Sequence, residues 1–229
     1  MALTTDVKAE LVSIRNAPPS VRVAEVTAVL RFAGGLHQIA NRIAVEAEVD
    51  AELLARRVAR DLAELFGVRP EIAPIQGASS HDGAKYAVRV IAAGETLARQ
   101  TGLLDQRRRP VRGLPNRLTT GSREELAGLW RGAFLAAGSV SEPGRSAVLE
   151  VVCPSSEAAM ALVGAAHRIG IAAKAREVRG MPRVVIREPE GIRAVLALMG
   201  AAKTAAAWEE MRQRREVRAG VHRLVNFDD

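Results

Sequence analysis

The chain has 229 residues, of which 48% are apolar and only 3% aromatic, so a core must be built from Ala, Val, Leu and Ile, and base-stacking platforms for single strands are disfavoured. The single cysteine, Cys153, excludes an internal disulfide framework, and the four scattered histidines have no cysteine partners at zinc spacing. The net charge of +7 favours an anionic partner, nucleic acid first, although an Arg-rich and Ala-rich chain is also typical of a GC-rich genome.

The N-terminal region carries charged residues where a secretory signal would be apolar, and no apolar run approaches membrane-spanning length. Together with the lone cysteine, this predicts a cytoplasmic protein.

The first half of the chain predicts the order helix, strand, helix, two strands, helix. Asp50 is expected to cap the second core helix, and Gly67 to end it. Before these elements comes a short amphipathic helix broken by two prolines. The predicted ranges are helix 5–16, helix 21–33, strand 37–48, a helix that begins after residue 50, strands 68–75 and 85–91 around a polar loop at 77–83, and helix 95–104.

Residues 105–120 contain two prolines, a glycine and no apolar periodicity, so we predict a linker. It is basic, with Arg107, Arg108, Arg109 and Arg112.

The second half repeats the pattern of the first. Ser122 and Glu125 predict a capping box at the start of a helix over 122–137. A strand is expected over 147–152. A helix capped by Ser155 or Ser156 follows and ends at Gly170. Its apolar face is expected to carry Met160, Val163, Ala166 and Ile169. A hairpin (171–178 and 183–187) and a helix (191–201) then complete the repeat.

Each repeat contains a core helix with a small residue and a terminal glycine: Ala28 and Gly34 in the first, Gly132 and Gly138 in the second. A glycine within a helix costs about 1 kcal/mol relative to alanine, so close packing of a second helix is its expected reason. Gly138 is expected to end its helix with a positive φ. We therefore predict an α+β fold in which two αβαββα repeats, each with a three-stranded sheet, pack as a pseudo-two-fold saddle.

After the second repeat, residues 203–229 predict a basic helix with Trp208, Met211 and Arg215 on one face. It has no closing glycine, and we expect the natural protein to continue. The predicted organisation is an N-terminal helix and first repeat (1–104), a linker (105–120), the second repeat (121–202) and a linker helix (203–229).

The two glycine-containing helices resemble the paired dodecapeptide helices of LAGLIDADG homing endonucleases. The whole chain resembles the actinobacterial WhiA family of sporulation regulators, in particular at residues 7–11, 104–115, 131–140 and 223–226. The resemblance implies a degenerate endonuclease fold followed by a helix-turn-helix domain that is absent here. It also implies a nucleoid-associated regulator of sporulation and cell-division genes, with a sigma factor of RNA polymerase and promoter DNA as partners. A monomer is expected because an internal pseudo-dimer needs no partner copy to complete its fold.

A homing endonuclease needs an acid near the end of each paired helix to hold a divalent metal. Here those positions fall on Ala33 and Ala137, and the earlier acidic position falls on Arg31 and Leu135. Alanine offers no oxygen to a hard cation, so we expect no nuclease activity, metal or cofactor.

In LAGLIDADG proteins the concave sheet face lies on the DNA major groove. Here Lys174 and Arg176 alternate on one predicted strand, and Arg183 and Arg187 on its partner, so a ladder of phosphate contacts is one hypothesis. The first sheet instead offers the mixed set Gln38, Arg42, Glu46 and Glu48. The alternatives are a solvated sheet face and, for the linker arginines, simple solubility. The two leading functions are thus a platform for the C-terminal promoter-binding domain of sigma and a direct, non-catalytic DNA surface.

Overall fold

The computed structural model describes residues 2–76 and 83–225, with the backbone alone for 221–225. The helices are α1 (Ala2–Val12), α2 (Pro19–Phe32), α3 (Glu52–Phe66), α4 (Gly94–Gln100), α5 (Asn116–Thr119), α6 (Arg123–Ala137), α7 (Ser156–Arg168), α8 (Pro189–Met199) and α9 (Ala202–Val225). The strands are β1 (Gly34–Ile39), β2 (Arg42–Val49), β3 (Glu71–Ile75), β4 (Lys85–Val90), β5 (Gly138–Val140), β6 (Leu149–Val152), β7 (Lys174–Val178) and β8 (Met181–Ile186).

Two antiparallel sheets have the same topology, β1-β2-β4-β3 in the first repeat and β5-β6-β8-β7 in the second. The predicted α+β fold of two repeats is confirmed. In each repeat one face of the sheet is buried against helices, and the other face carries the polar side chains.

Each repeat has four strands rather than the three we predicted, so its order is αββαββα. The single strand expected over 37–48 is wrong, because Ala40 and Asn41 adopt left-handed conformations (φ 48° and 61°) and turn the chain into a hairpin. In the second repeat, β5 adds a short strand directly after α6.

The centre of the molecule is the contact between α2 and α6. Both helices are buried around most of their circumference, which is why neither has the clear apolar stripe of a surface helix. A Cβ added to Gly132 would lie 2.1 Å from the carbonyl oxygen of Glu25, and one added to Gly128 would lie 2.7 Å from that of Val21. The glycines of α6 therefore let the two backbones approach to a distance that a side chain would prevent.

The local signals of the sequence have mixed outcomes. The capping box of Ser122 and Glu125 is present in both directions, and Ser155 caps α7. Asp50 does not cap α3 but pairs with Lys8 at 2.8 Å, and Met160 is 61% exposed rather than buried. The proposed loop at 77–83 lies outside the described residues except for Gly83.

Residues 105–120 are more ordered than a plain linker. They contain α5, and Leu104 forms an isolated bridge with Pro110. Leu114 and Leu118 are buried in the common core. This segment therefore packs against the repeats that it joins.

The two terminal helices tie both repeats together. Glu10 of α1 accepts hydrogen bonds from the backbone amides of Lys203 and Thr204 and so caps α9. Trp208 is fully buried and donates its indole N–H to the carbonyl of Ser141 at 3.0 Å, and Met211 packs partly against the core on the same side. Across the described ranges, none of the helices combines the length and apolar character that a membrane span requires.

Candidate functional site

The helix ends where homing endonucleases carry their acids are apolar in this chain. Ala33 and Ala137 both pack partly against the core. Gly34 follows directly and lies against β2, where an added Cβ would stand 1.8 Å from the carbonyl oxygen of Glu46. The two helix ends thus run into the sheets without offering a carboxylate.

Gly138 occupies the matching position in the second repeat, but its φ is −88°, so the expected positive φ is wrong. The ring of Phe134 explains the glycine instead, since an added Cβ would lie 2.3 Å from a ring carbon. Glycine is required here by crowding and not by backbone conformation.

Other potential ligands are dispersed. Among residues 2–76 and 83–220, no three His, Cys, Asp or Glu side chains come together in a group that could hold a metal ion. The earlier acidic position of the motif is occupied by Arg31, whose pKa is lowered because burial disfavours its charge, and by the buried Leu135. The residues at the helix ends therefore do not fit a hard divalent cation.

The buried carboxylate within the paired helices serves a structural purpose. Glu25 of α2 is 2% exposed and accepts hydrogen bonds from two arginines, Arg57 of α3 (2.6 and 3.0 Å) and Arg131 of α6 (2.6 Å). Burial raises the pKa of Glu25, but the two guanidinium groups outweigh burial, so the pKa lies below its ordinary value. Glu25 is consequently an ionised structural residue.

Both arginines continue the network into neighbouring elements. Arg131 also donates to the carbonyl of Met199 at 2.8 Å, at the end of α8. Arg57 also donates to the carbonyl of Val12, the last residue of α1, and to that of Ile14 just after it. This buried triad was missed by sequence reasoning, although a lone glutamate within the apolar helix α2 was a usable signal.

Basic and acidic side chains oppose one another on the exposed face of the first sheet. Glu46 of β2 is directly opposite Arg89 of β4 and forms an ion pair with it, and Glu71 of β3 is opposite Arg89 on the other side. Arg42 and Glu48 lie on the same face. Gln38 lies on the opposite face, in register with Ile43. The positive charges of this face are therefore matched by carboxylates.

The second sheet carries more positive charge. Lys174 and Arg176 are exposed on the edge strand β7, and Arg176 lies directly opposite Arg183 of β8. Arg183 is paired with Glu150 of β6 at 2.8 Å. Arg187 is exposed just beyond the end of β8 and so continues the same row.

The linker arginines lie on the surface near carboxylates of their own chain. Arg108 pairs with Glu95 at 2.8 Å, and Arg112 approaches Glu157 at 3.7 Å. Asp105 accepts hydrogen bonds from the backbone amides of Arg107 and Arg109 and forms an ion pair with the Arg109 side chain. The structure does not bring this group onto the exposed face of either sheet.

The remaining reactive side chains are structural or exposed. Cys153 is buried, and burial raises the pKa of its thiol to about 11. His167 lies 3.2 Å from the carbonyl of Ala173, and His37 is exposed on β1. His81 and the side chain of His222 lie outside the described part of the chain.

Comparison with known proteins identifies the family. Residues 19–104 match the WhiA N-terminal LAGLIDADG-like domain, and residues 126–218 match the WhiA LAGLIDADG-like domain. The chain is 66% identical over all of its 229 residues to the probable cell division protein WhiA of Leifsonia xyli subsp. xyli, and covers 70% of that protein. The chain belongs to the WhiA family.

Other relatives agree with this assignment. Over its full length this WhiA-family chain is 64% identical to the probable cell division protein WhiA of Clavibacter michiganensis subsp. michiganensis, again covering 70% of that protein. Its fold is similar to that of full-length DUF199/WhiA from Thermotoga maritima (TM-score 0.70, 17% identity, 96% of this chain and 69% of that one).

The homing endonuclease I-DmoI, solved in complex with DNA and Mn, has the same fold (TM-score 0.58, 16% identity, 80% of this chain and 98% of that one). The WhiA fold is thus a degenerate homing-endonuclease fold, in a family whose members are named as cell division proteins.

Proposed function

We propose that this WhiA-family chain is the non-catalytic part of a transcription regulator of sporulation and cell-division genes. Its saddle would act as a platform for the C-terminal promoter-binding domain of an RNA polymerase sigma factor. On this proposal the protein works as a monomer at the nucleoid, and promoter DNA is recognised elsewhere in the regulator. The sigma partner comes from the family resemblance, and the charge distribution of the sheets supports a protein partner.

The observation that carries the proposal is the pairing of charges across the sheet faces. Arg89 is paired with Glu46 in the first repeat and Arg183 with Glu150 in the second. A duplex is attracted through its phosphates, and each carboxylate next to an arginine opposes that attraction. A mixed surface of this kind suits a protein partner with its own alternating charges.

The loss of nuclease chemistry supports the same proposal. Ala33 and Ala137 provide no metal ligand, whereas the contact between α2 and α6 is intact and tightly packed. The fold has kept its shape without the groups that cleavage would need. Magnesium-dependent nicking of a plasmid at high protein concentration would contradict the non-catalytic assignment.

The test is co-elution on size exclusion of this chain with the isolated C-terminal domain of the host's sigma factor, in about 0.5 M salt. At that ionic strength the Debye length is well below 10 Å, so adventitious pairing between a basic protein and an acidic one is suppressed. A stable complex is expected, while another domain of the same sigma factor serves as the control and should elute separately. If both domains elute alone, the platform hypothesis fails.

A direct DNA surface is the second candidate, favoured by one observation. Arg176 and Arg183 lie directly opposite each other, and a bound anion would reduce the repulsion between these like charges. If the saddle binds duplex DNA, replacing Lys174, Arg176 and Arg183 with alanine should weaken binding and flatten its salt dependence. Equal affinity of the triple variant and the parent would exclude this surface.

A further inference from the structure

A small cavity lies on the helical side of the first repeat, between the segment after α1, the first turn of α2 and the face of α3. Its volume is about 240 Å³. Pockets for drug-sized ligands occupy roughly 300–1,000 Å³, so this one is suited to a compact group. Its charged lining consists of four arginines and one carboxylate: Arg15, Arg22, Arg57, Arg60 and Glu64.

Three of the four arginines, Arg22, Arg57 and Arg60, are held in place by carboxylates. Arg22 and Arg60 both donate to Oδ1 of the buried Asp61, at 2.8 and 3.1 Å, and Arg22 also pairs with Glu64. Arg57 is fixed from behind by Glu25. The guanidinium groups of Arg22, Arg57 and Arg60 are therefore preorganised and need little reordering to bind a ligand.

Several donors at the cavity stay unused. The contacts of Arg22 and Arg60 occupy Nε and Nη2, so within the described part of the chain Nη1 of each side chain has no protein acceptor. Arg15 is exposed at the rim and makes no side-chain hydrogen bond or ion pair with the described residues. Guanidinium N–H groups in a fixed fork match the oxygens of phosphate better than any other side chain does.

The cavity is remote from the saddle. Arg22 lies in the first turn of α2, whereas the sheet begins only after the last turn of this 14-residue helix. The part of the helix from Arg22 to its end at Phe32 spans roughly 15 Å. A duplex lying on the exposed sheet faces would not reach these arginines, so the cavity is independent of either function proposed above.

We propose that this cavity binds the phosphate group of a small phosphorylated molecule. Arg15 and Arg60 would contact the anion from the rim and Arg22 from the side, while Glu64 competes for Arg22. Arg57 lines the cavity and also donates a hydrogen bond to Glu25. An anion bound here would therefore lie next to the ion network of Glu25 and Arg131 that joins the two repeats. The site would thus give the regulator a binding function for a phosphorylated metabolite.

The experiment is titration calorimetry of the 229-residue chain with inorganic phosphate and with pyrophosphate, at constant ionic strength set by sodium chloride. Binding with a Kd of about 1 mM or below is expected for at least one anion. The double variant R15Q/R60Q should weaken that binding about tenfold or more, because two charge-assisted contacts are lost. Absence of binding at about ten times that concentration would overturn the proposal.

Two further variants separate ligand binding from a structural ion network. Arg56→Gln is the matched control, since Arg56 is next to Arg57 on α3 but is 70% exposed and pairs with Glu52 away from the cavity; it should bind the anion as the parent does. Glu64→Gln should bind the anion more tightly, because the negative charge that competes with the anion for Arg22 is removed. A Glu64→Gln protein with unchanged or weaker anion binding would contradict the site. So would displacement of the anion by duplex DNA.

Discussion

Glu25 and Arg131 form a buried ion pair across the two repeats, with Oε2 of the first 2.6 Å from Nε of the second. The offset that aligns Gly34 with Gly138 puts Leu129 in the place of Glu25 and Thr27 in the place of Arg131. The pair therefore has no symmetric counterpart. It breaks the pseudo-two-fold relation at the centre of the molecule, and with Arg57 it fixes α2, α3 and α6 in one register.

Removal of the shared carboxylate should be severely destabilising. In a Glu25→Gln variant, Arg57 and Arg131 would remain buried without the carboxylate that both of them contact, and breaking a buried pair in this way costs roughly 3–5 kcal/mol. Urea unfolding followed by circular dichroism measures the change. The control is Glu52→Gln, which breaks only the exposed pair with Arg56 and should cost less than about 1 kcal/mol. Equal effects of the two variants would contradict the role assigned to the triad.

The same pair gives the stability a defined pH dependence. The folded-state pKa of Glu25 lies below the ordinary 4.5, so the unfolded chain takes up the proton more readily than the folded chain. Its contribution is thus complete above about pH 4.5 and is lost as the pH falls through the depressed folded-state pKa. The difference in unfolding free energy between the parent and Glu25→Gln should therefore shrink in acid. A difference that stays constant from pH 7 to about pH 3 would refute this.

Cys153 should be nearly inert in the folded protein. Its pKa is raised to about 11, so at pH 8 only a very small fraction of the thiol is ionised, and the side chain is buried. Reaction with a chromogenic disulfide reagent at pH 8 should be slow in buffer and fast in denaturant. Fast labelling of the native protein would mean that the core around β6 opens readily.

The parts of the fold that sequence predicted correctly depend on local chemistry. The capping box of Ser122 and Glu125 involves residues three apart, and the ends of α3 and α7 are marked by Gly67 and Gly170 with positive φ. The turn at Ala40 and Asn41 was not predicted, because it contains no glycine. Its alanine adopts a left-handed conformation that no sequence signal indicates. Tertiary pairing with β2 and β6 then decides where β1 and β5 form.

The site was predicted only in part, for a related reason. Composition could identify Lys174, Arg176 and Arg183 as basic, but it could not show that Arg183 is paired with Glu150 on the neighbouring strand. Glu25 contacts Arg57 and Arg131, which lie 32 and 106 positions away along the chain. Helix and strand periodicity relates only residues that are close in sequence, so it could not predict these contacts. Sequence reasoning locates charged residues, whereas the fold decides which of them neutralise one another.

The contact between α2 and α6 at Gly132 should be highly sensitive to an added side chain. In Gly132→Ala the new Cβ would lie 2.1 Å from the carbonyl oxygen of Glu25 and 2.9 Å from the Cβ of Ala28, so α2 and α6 would have to separate. The separation would also lengthen the Glu25–Arg131 pair, and we expect a loss of roughly 2–4 kcal/mol in the free energy of unfolding.

Gly164→Ala is the matched control for that substitution. Gly164 lies within α7 with no atom within 4 Å of an added Cβ, so alanine there should stabilise the helix by up to about 1 kcal/mol. Thermal unfolding of the two variants under one condition therefore gives shifts of opposite sign. If both alanines raise the melting temperature, the two central helices are not in the close contact that the glycines of α6 permit.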